Sequence, residues 1–519
     1  MASSGYKTDA DIHNKLRSIG AMVDINYLFY EPPSSADSPD CLTPAGDACS
    51  AMALLYIDNK TPALFSMLKT IIVMVILGGG TVFFQRDAQV LVLGPIERMV
   101  HVITTLSENP LANTKKAGGK LGADEEQYKT ENYETILLES TIVKIGALLQ
   151  IGFGAAGAAI IGKNMKTGAL DPMVPGKMIT SIYGFCDIRN FTDTTECLQE
   201  EVMVYVNKLG FIVHGCTNDY YGMANKNVGD AFLLSWKICD DLLPGYNAFE
   251  ETPNEESRLR ACETCVVVVK GTAEVDRRIT PTELADSALA AFIKCLVDLD
   301  NANTAGTLTQ YLVNPKVVKR FGPDFRIKMG FGMHVGWAIE GAIGTAYKID
   351  ATYMSPHVEM SDRLEAGSKI FGSPINISHW LYHLLSPAAR RFLRPMDRIK
   401  VEGCPTPMTV YTFDVVHFPR AVAIPKIGPN GAQLPVDFDR DPSFQALHHG
   451  LHPAFLDTAR AAVAKYLGGE WAEAKQMMEM VLVQKPKDGP TLRLLGIMQE
   501  HDFVAPPDWP GYYELLEGY

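Results

Sequence analysis

Several features that would place the chain in a broad class are sparse or missing. Basic residues do not predominate: 47 Lys and Arg stand against 60 Asp and Glu, a formal net charge of −13. This balance argues against a nucleic-acid partner, because phosphate backbones recruit basic surfaces. The ten cysteines form no disulfide framework, which is typical of a reducing compartment. The first residues lack a basic segment followed by an apolar core, so we predict no signal peptide.

Long apolar runs are also scarce, and only one stretch is a candidate for a membrane. Its uninterrupted part covers residues 70–84, short of the roughly 20 residues that a helix needs to cross a bilayer. Extending the stretch back to Ala63 reaches that length but includes Lys69, whose ammonium group would have to reach an interface. The segment 63–86 is therefore a candidate transmembrane helix, with a buried helix as the alternative.

The remaining pattern divides most of the chain into three segments. Residues 1–62 are polar with turn clusters, which predicts a poorly ordered N-terminal segment. Residues 87–170 carry apolar residues at helical spacing and predict a helical connector. Residues 175–416 alternate short apolar strands with helices, which predicts an α+β fold with helices on one face of a sheet.

The last segment, residues 440–519, returns to a helical pattern. Within it, Gly469, Ala474 and Pro486 stand at the offsets of a tetratricopeptide-like (TPR-like) helix pair. A single pair of this kind cannot bury its own apolar face. We therefore expect it to dock on the preceding domain or, as the alternative, on a protein partner.

Two carboxylates stand at the ends of predicted strands in the α+β segment. Asp187 lies in FCDIRNFTD (185–193) and Asp230 ends NKNVGD (225–230). Carboxylates delivered from strand ends suit a hard cation such as Mg²⁺ when its other ligands are water and phosphate oxygens. The two motifs therefore predict a divalent-cation site.

A third motif, KIDATYMSPHVEMSDRLE (348–365), places Thr352, Glu359 and Arg363 at spacings of seven and four residues. Together the three motifs resemble the class III nucleotidyl cyclase family, which converts ATP or GTP into a 3′,5′-cyclic nucleotide. The stretches LVLGPIERM and IGFGAAGAAIIGKNM extend the resemblance, over about residues 63–516, to membrane-anchored cyclases of algae and other protists. It implies a ferredoxin-like domain, an antiparallel sheet with helices, that works as a head-to-tail homodimer.

The resemblance also implies roles for individual residues. Asp187 and Asp230, with the backbone carbonyl of Ile188, would hold two Mg²⁺ ions per site, for which Mn²⁺ can substitute. Lys226 would donate to adenine N1 and Thr352 would accept from the N6 amino group. Guanylyl cyclases have glutamate and cysteine at these two positions, because guanine reverses the donor and acceptor pattern. The pair therefore implies ATP as the substrate.

The residues that would contact phosphate and ribose match the family's motifs less completely. Arg363 would stabilise charge on the reacting phosphate. Glu359 stands where the family has an asparagine that positions the ribose, and Glu402 where it has a phosphate-binding lysine. Like charges about 4 Å apart repel by roughly 1 kcal/mol in water and about 4 kcal/mol at an effective dielectric of 20. The two glutamates therefore predict a weakened enzyme or, as the alternative, an inactive dimerising module that regulates a partner.

The sequence as a whole predicts an adenylate cyclase that makes cyclic AMP and pyrophosphate in intracellular signalling. The resemblance favours a single membrane span through about residues 63–84, with the catalytic domain in the cytosol, where ATP is found. In the family, one protomer supplies the metal carboxylates and the other supplies Lys226, Thr352, Glu359 and Arg363.

Overall fold

The structure is a computed structural model. It describes residues 45–108, eight positions between 137 and 152, and residues 175–239, 267–270, 276–345, 348–401, 404, 406–415, 418 and 436–515. Two predicted segments therefore lie largely outside the described residues: the poorly ordered segment 1–62 and the helical connector 87–170. Glu402 also lies outside them.

The described part of the N-terminal unit is a long helix, α1 (Ala45–Ala88), followed by a π-helical turn, Gln89–Leu93. Within α1, the stretch Ala63–Ala88 is the only part of the described chain that is long and apolar enough to cross a membrane, and none of it is buried.

The rest of the described chain forms a second unit that contains the sheet. Its described strands are β1 (Lys177–Ile188), β2 (Met223–Val228), β3 (Ala231–Cys239), β4 (Val267–Lys270), β5 (Asp276–Ile279), β6 (Met329–Thr345), β7 (Lys348–Met354), β8 (Ile375–Ser378), β9 (Leu393–Val401), β10 (Met408–Phe413) and β11 (Tyr513–Leu515).

Its described helices are α2 (Gly94–Glu108), α3 (Phe191–Leu198), α4 (Val202–Asp219), α5 (Pro281–Ala305), α6 (Thr309–Leu312), α7 (Pro315–Phe321), α8 (Pro356–Phe371), α9 (His379–Leu384), α10 (Pro387–Arg390), α11 (Pro442–Leu447), α12 (Phe455–Leu467), α13 (Trp471–Gln484) and α14 (Gly489–Gln499). A single 3₁₀ turn, Gln199–Glu201, joins α3 to α4.

The main sheet has the strand order β11-β9-β10-β8-β6-β1-β3-β2, with β7 paired to the far end of β6. β1 is central and runs antiparallel to both β3 and β6. Parallel pairs join β6 to β8 and β9 to β11, so the sheet is mainly but not wholly antiparallel. β4 and β5 form a separate two-stranded ribbon. The predicted α+β fold class is confirmed.

The two faces of the sheet are covered differently. Side chains of β1 alternate, so that Ile182 joins a large core with α4, α5, α8 and α9, whereas Ile179 and Tyr183 join a small core on the opposite face. The small core is covered by β7, whose Ala351 and Tyr353 pack there. Burial on both faces explains why β1 reads as a nearly continuous apolar run.

The C-terminal helices α12, α13 and α14 share a core of their own and dock on the sheet of the same chain. Arg394 on β9 is buried and forms ion pairs of 2.6 Å with both Asp414 and Asp488. Lys485 adds a contact of 2.7 Å to Asp414. β11 then completes the edge by pairing with β9. The likeness of these helices to a TPR unit stays a prediction.

Candidate active site

The hairpin between β2 and β3 brings Asp230 beside Asp187. Two residues, Gly229 and Asp230, form the turn, and Gly229 has φ +65°, a conformation that tight hairpins need and that glycine adopts without strain. Ala231, which follows Asp230, pairs in register with Asp187 on β1. The two carboxyl groups therefore come close together at this end of the sheet, where Asp230 is one of the groups that raise the pKa of Asp187.

The surroundings of Asp187 favour its protonated form. Burial, followed by the negative charges of Glu365 and Asp230, raises its pKa to about 7, and Lys369 acts weakly in the opposite direction. A carboxyl group with a raised pKa beside a second carboxyl group is a typical arrangement for a site that exchanges a proton for a cation.

The donor set fits a hard divalent cation. Among the described residues, no three His, Cys, Asp or Glu side chains come together to hold a metal ion. The available ligands are therefore the carboxylates of Asp187 and Asp230 and a backbone carbonyl such as that of Ile188, whose side chain is buried. Mg²⁺ commonly takes one or two carboxylates and fills its remaining positions with water and phosphate oxygens.

An arginine that the motif analysis did not assign lies against Asp187. The Arg189 guanidinium is 2.5 Å from Glu365 on α8 and 3.9 Å from Asp187, and it also contacts the Ser368 hydroxyl. Gly330 on β6 leaves space for this group, because a Cβ there would collide with both Arg189 and Glu365. The available sequence signal was position, since Arg189 stands two residues after Asp187 within the same motif.

Strand β7 relates the positions of Lys226 and Thr352, because it carries both Thr352 and an aspartate that Lys226 contacts. Lys226 follows a bulge in β2, and its ammonium lies 3.7 Å from Asp350, which also binds Lys348 at 3.3 Å. Because side chains alternate along a strand, Asp350 and Thr352 share the face of β7 that points away from the small core. The structure thus brings Lys226 to the face of the strand that carries Thr352.

Helix α8 presents two different faces. It begins after Ser355, whose hydroxyl accepts the N–H of His357, and ends at Gly372 in the left-handed conformation. Glu365 lies on the buried face, against Arg189, whereas Glu359 and Arg363 are exposed and one turn apart. Within one chain, Arg363 therefore lies on the side of α8 that faces away from Asp187.

Comparisons with known proteins match part of the chain to cyclases. The chain is 31% identical over 203 residues to an adenylate cyclase of Anabaena cylindrica, covering 37% of this chain and 39% of that protein. It is 24% identical over 230 residues to the terminal-differentiation-specific adenylate cyclase of Dictyostelium discoideum, covering 44% of this chain and 8% of that protein. The predicted resemblance to class III cyclases is confirmed, although the chain spans well under half the length of either relative.

Two other matches carry less weight. The family described as the RasGEFs all helical domain matches residues 56–166, which end before β1 and the candidate site. Among solved structures, a bacterial light-regulated adenylyl cyclase is 18% identical, with a TM-score of 0.36 over 60% of this chain and 67% of that one. At that TM-score the similarity supports no conclusion about this chain.

Proposed function

We propose that the α+β domain is a class III nucleotidyl cyclase that converts ATP to cyclic AMP and pyrophosphate. The observation that carries the proposal is the pair Asp187 and Asp230, which stand side by side at a strand end with a donor set suited to Mg²⁺. The relatives named adenylate cyclase support the reaction class. Lys226 and Thr352 support adenine over guanine.

In the proposed reaction, the ribose 3′-oxygen attacks the α-phosphorus, the bond to the bridging oxygen of pyrophosphate breaks, and the 3′-hydroxyl proton passes to solvent water. Metal ions bound at the site would supply positive charge for the 3′-oxygen and the triphosphate. Asp187 and Asp230 would hold them, and Lys226 would fix the adenine ring. The guanidinium of Arg363 would stabilise charge on the phosphate, a role suited to a rigid and permanently charged donor fork.

The two faces of α8 support a head-to-tail homodimer as the catalytic unit. Glu365 faces the metal carboxylates of its own chain, whereas Arg363 is exposed on the other side of the helix. A second copy would bring its Arg363, with Lys226 and Thr352, to the carboxylates of the first. Each dimer would then form sites from residues of both protomers, and a monomer would hold only half of each.

The long N-terminal helix supports attachment to a membrane. Ala63–Ala88 has the length and composition of a single span, and none of it is buried in the structure. We place the cyclase domain on the cytosolic side because its substrate would be ATP. Recovery of the full-length protein in the supernatant after fractionation without detergent would contradict this part of the proposal.

The proposal is tested by cyclic nucleotide production. The full-length chain, purified in detergent, is incubated with Mn²⁺ and either ATP or GTP, and the products are separated by chromatography. We expect cyclic AMP and pyrophosphate in equal amounts, with ATP preferred, and no product from Asp187→Asn. If the parent protein and Glu359→Asn both make no cyclic nucleotide, the protein is better described as a non-catalytic dimerising module.

A further inference from the structure

The Arg189 guanidinium stands between two carboxylates that compete for it. Its Nη2 lies 2.5 Å from Glu365 Oε1, and its Nη1 lies 3.9 Å from Asp187 Oδ2. The same Nη2 contacts the backbone carbonyl of Glu365 at 3.3 Å and the hydroxyl of Ser368. Arg189 is therefore held by three groups of α8 and only loosely approached by Asp187.

This arrangement is buried and closely fitted. The side chain of Glu365 is 4% exposed and that of Arg189 is 16% exposed. The glycine at position 330 keeps the space in which the two side chains meet. Opposite charges at this distance attract strongly in a partly buried setting, and an arginine that loses one carboxylate is drawn to the next carboxylate within reach. Here that carboxylate is Asp187.

We propose that Glu365 is a positioning residue for the metal site, because it holds Arg189 away from Asp187 and leaves that carboxylate available to a divalent cation. The inference rests on the proposed metal-dependent function. A guanidinium in direct contact with Asp187 would compete with the cation for the same oxygens. Lys369, 4.0 Å from Asp187 and well exposed, is a weaker competitor because water screens it.

The test measures Mn²⁺ affinity directly, from the electron paramagnetic resonance signal of free Mn²⁺ titrated with the full-length protein in detergent. Glu365→Gln keeps the shape of the side chain but removes the charge that attracts Arg189 most strongly, so the guanidinium can move closer to Asp187 and we expect Mn²⁺ affinity to fall by about tenfold or more. The double variant Arg189→Gln with Glu365→Gln removes the competitor as well, and its affinity should return to within about twofold of the parent.

Asp397→Asn provides a matched control, since Asp397 is the buried partner of Arg493 at 3.2 Å between β9 and α14. It removes a comparable carboxylate and should leave Mn²⁺ affinity unchanged. Activity gives a second readout: in Glu365→Gln the Mn²⁺ concentration for half-maximal rate should rise more than the maximal rate falls. Thermal melting of each variant establishes that it is folded.

Two outcomes overturn the inference while leaving the proposed function intact. One is a folded Glu365→Gln protein that binds Mn²⁺ as tightly as the parent. The other is a folded double variant that binds as weakly as Glu365→Gln alone, which would mean that Arg189 is not the competitor. If the parent itself binds no Mn²⁺ at millimolar concentration, the proposed metal site fails, and Glu365 has no such role.

Discussion

Arg394 on β9 and Asp488 at the start of α14 form a buried ion pair, with Nη2 and Oδ1 2.6 Å apart. Neither side chain is more than 1% exposed. Asp488 also caps α14, because its carboxylate accepts the N–H of Thr491 at 3.2 Å. One carboxylate thus ties the last helices of the chain to the sheet and stabilises the helix that it begins. The C-terminal segment is structurally continuous with the domain that carries the candidate site.

The first prediction concerns this attachment. Asp488→Ala should lower the free energy of unfolding by about 3–5 kcal/mol, because Arg394 loses a buried partner and α14 loses its cap. Urea denaturation of the solubilised chain measures the change. The matched control is Asp457→Ala, which removes the mostly exposed partner of Arg460 and should cost at most about 1 kcal/mol. Equal stability of the two variants would show that the pair does not hold the segment in place.

The second prediction concerns pH and the buried Asp286 on α5, which accepts the N–H of Ser386 at 3.0 Å. Burial raises the pKa of Asp286 from 3.8 to about 7. Its protonated form therefore contributes stability that is fully present below about pH 4 and is lost as pH rises towards 7. Asp286→Asn should reduce this fall in unfolding free energy by up to about 1.4 kcal/mol per pH unit. Urea denaturation at pH 5, 6 and 7 checks the slope; identical slopes for parent and variant would contradict it.

The site illustrates what the sequence alone could and could not predict. Local patterns placed Asp187 and Asp230 each at the end of a strand, one of them in a two-residue turn, whereas their adjacency also requires the long-range pairing of β1 with β3, which the resemblance to a family implied. The contact between Arg189 and Glu365 joins residues far apart in the chain, and it depends on how α8 packs against β1. No local pattern encodes such packing.

The same distinction applies to the fold. The α+β class followed from alternating strand and helix patterns, which are local. The position of β7 over the small core could not be predicted from local patterns. Apolar residues at alternate positions, such as Ala351 and Tyr353, fit any half-buried strand. The buried ion pair between Arg394 and Asp488 is likewise a long-range contact. It joins two segments that were predicted from the sequence as separate regions.

The third prediction concerns the base. Lys226→Glu combined with Thr352→Cys should change the ratio of ATP to GTP turnover by about a hundredfold or more in favour of GTP, because the donor and acceptor pattern then suits guanine. Rates with each nucleotide, measured separately, give the ratio. Lys348→Glu is the control: Lys348 binds the same Asp350 but is 79% exposed, and its replacement should leave the ratio nearly unchanged. A similar change in both variants would mean that general charge, and not base recognition, sets the preference.

The last prediction concerns Glu359, which is exposed on the same face of α8 as Arg363. Glu359→Asn should raise turnover about tenfold to a hundredfold, equivalent to about 1–3 kcal/mol in the barrier. An asparagine can donate a hydrogen bond to the ribose ring oxygen, whereas a glutamate carboxylate only accepts and adds negative charge where charge builds up on the α-phosphate. Initial rates of cyclic AMP formation measure the gain. Adding Asp230→Ala to Glu359→Asn should abolish product, because the proposed metal site would lose one of its two carboxylates. A lower rate in Glu359→Asn would instead indicate that the glutamate assists catalysis, as a metal ligand or as a partner of Arg363.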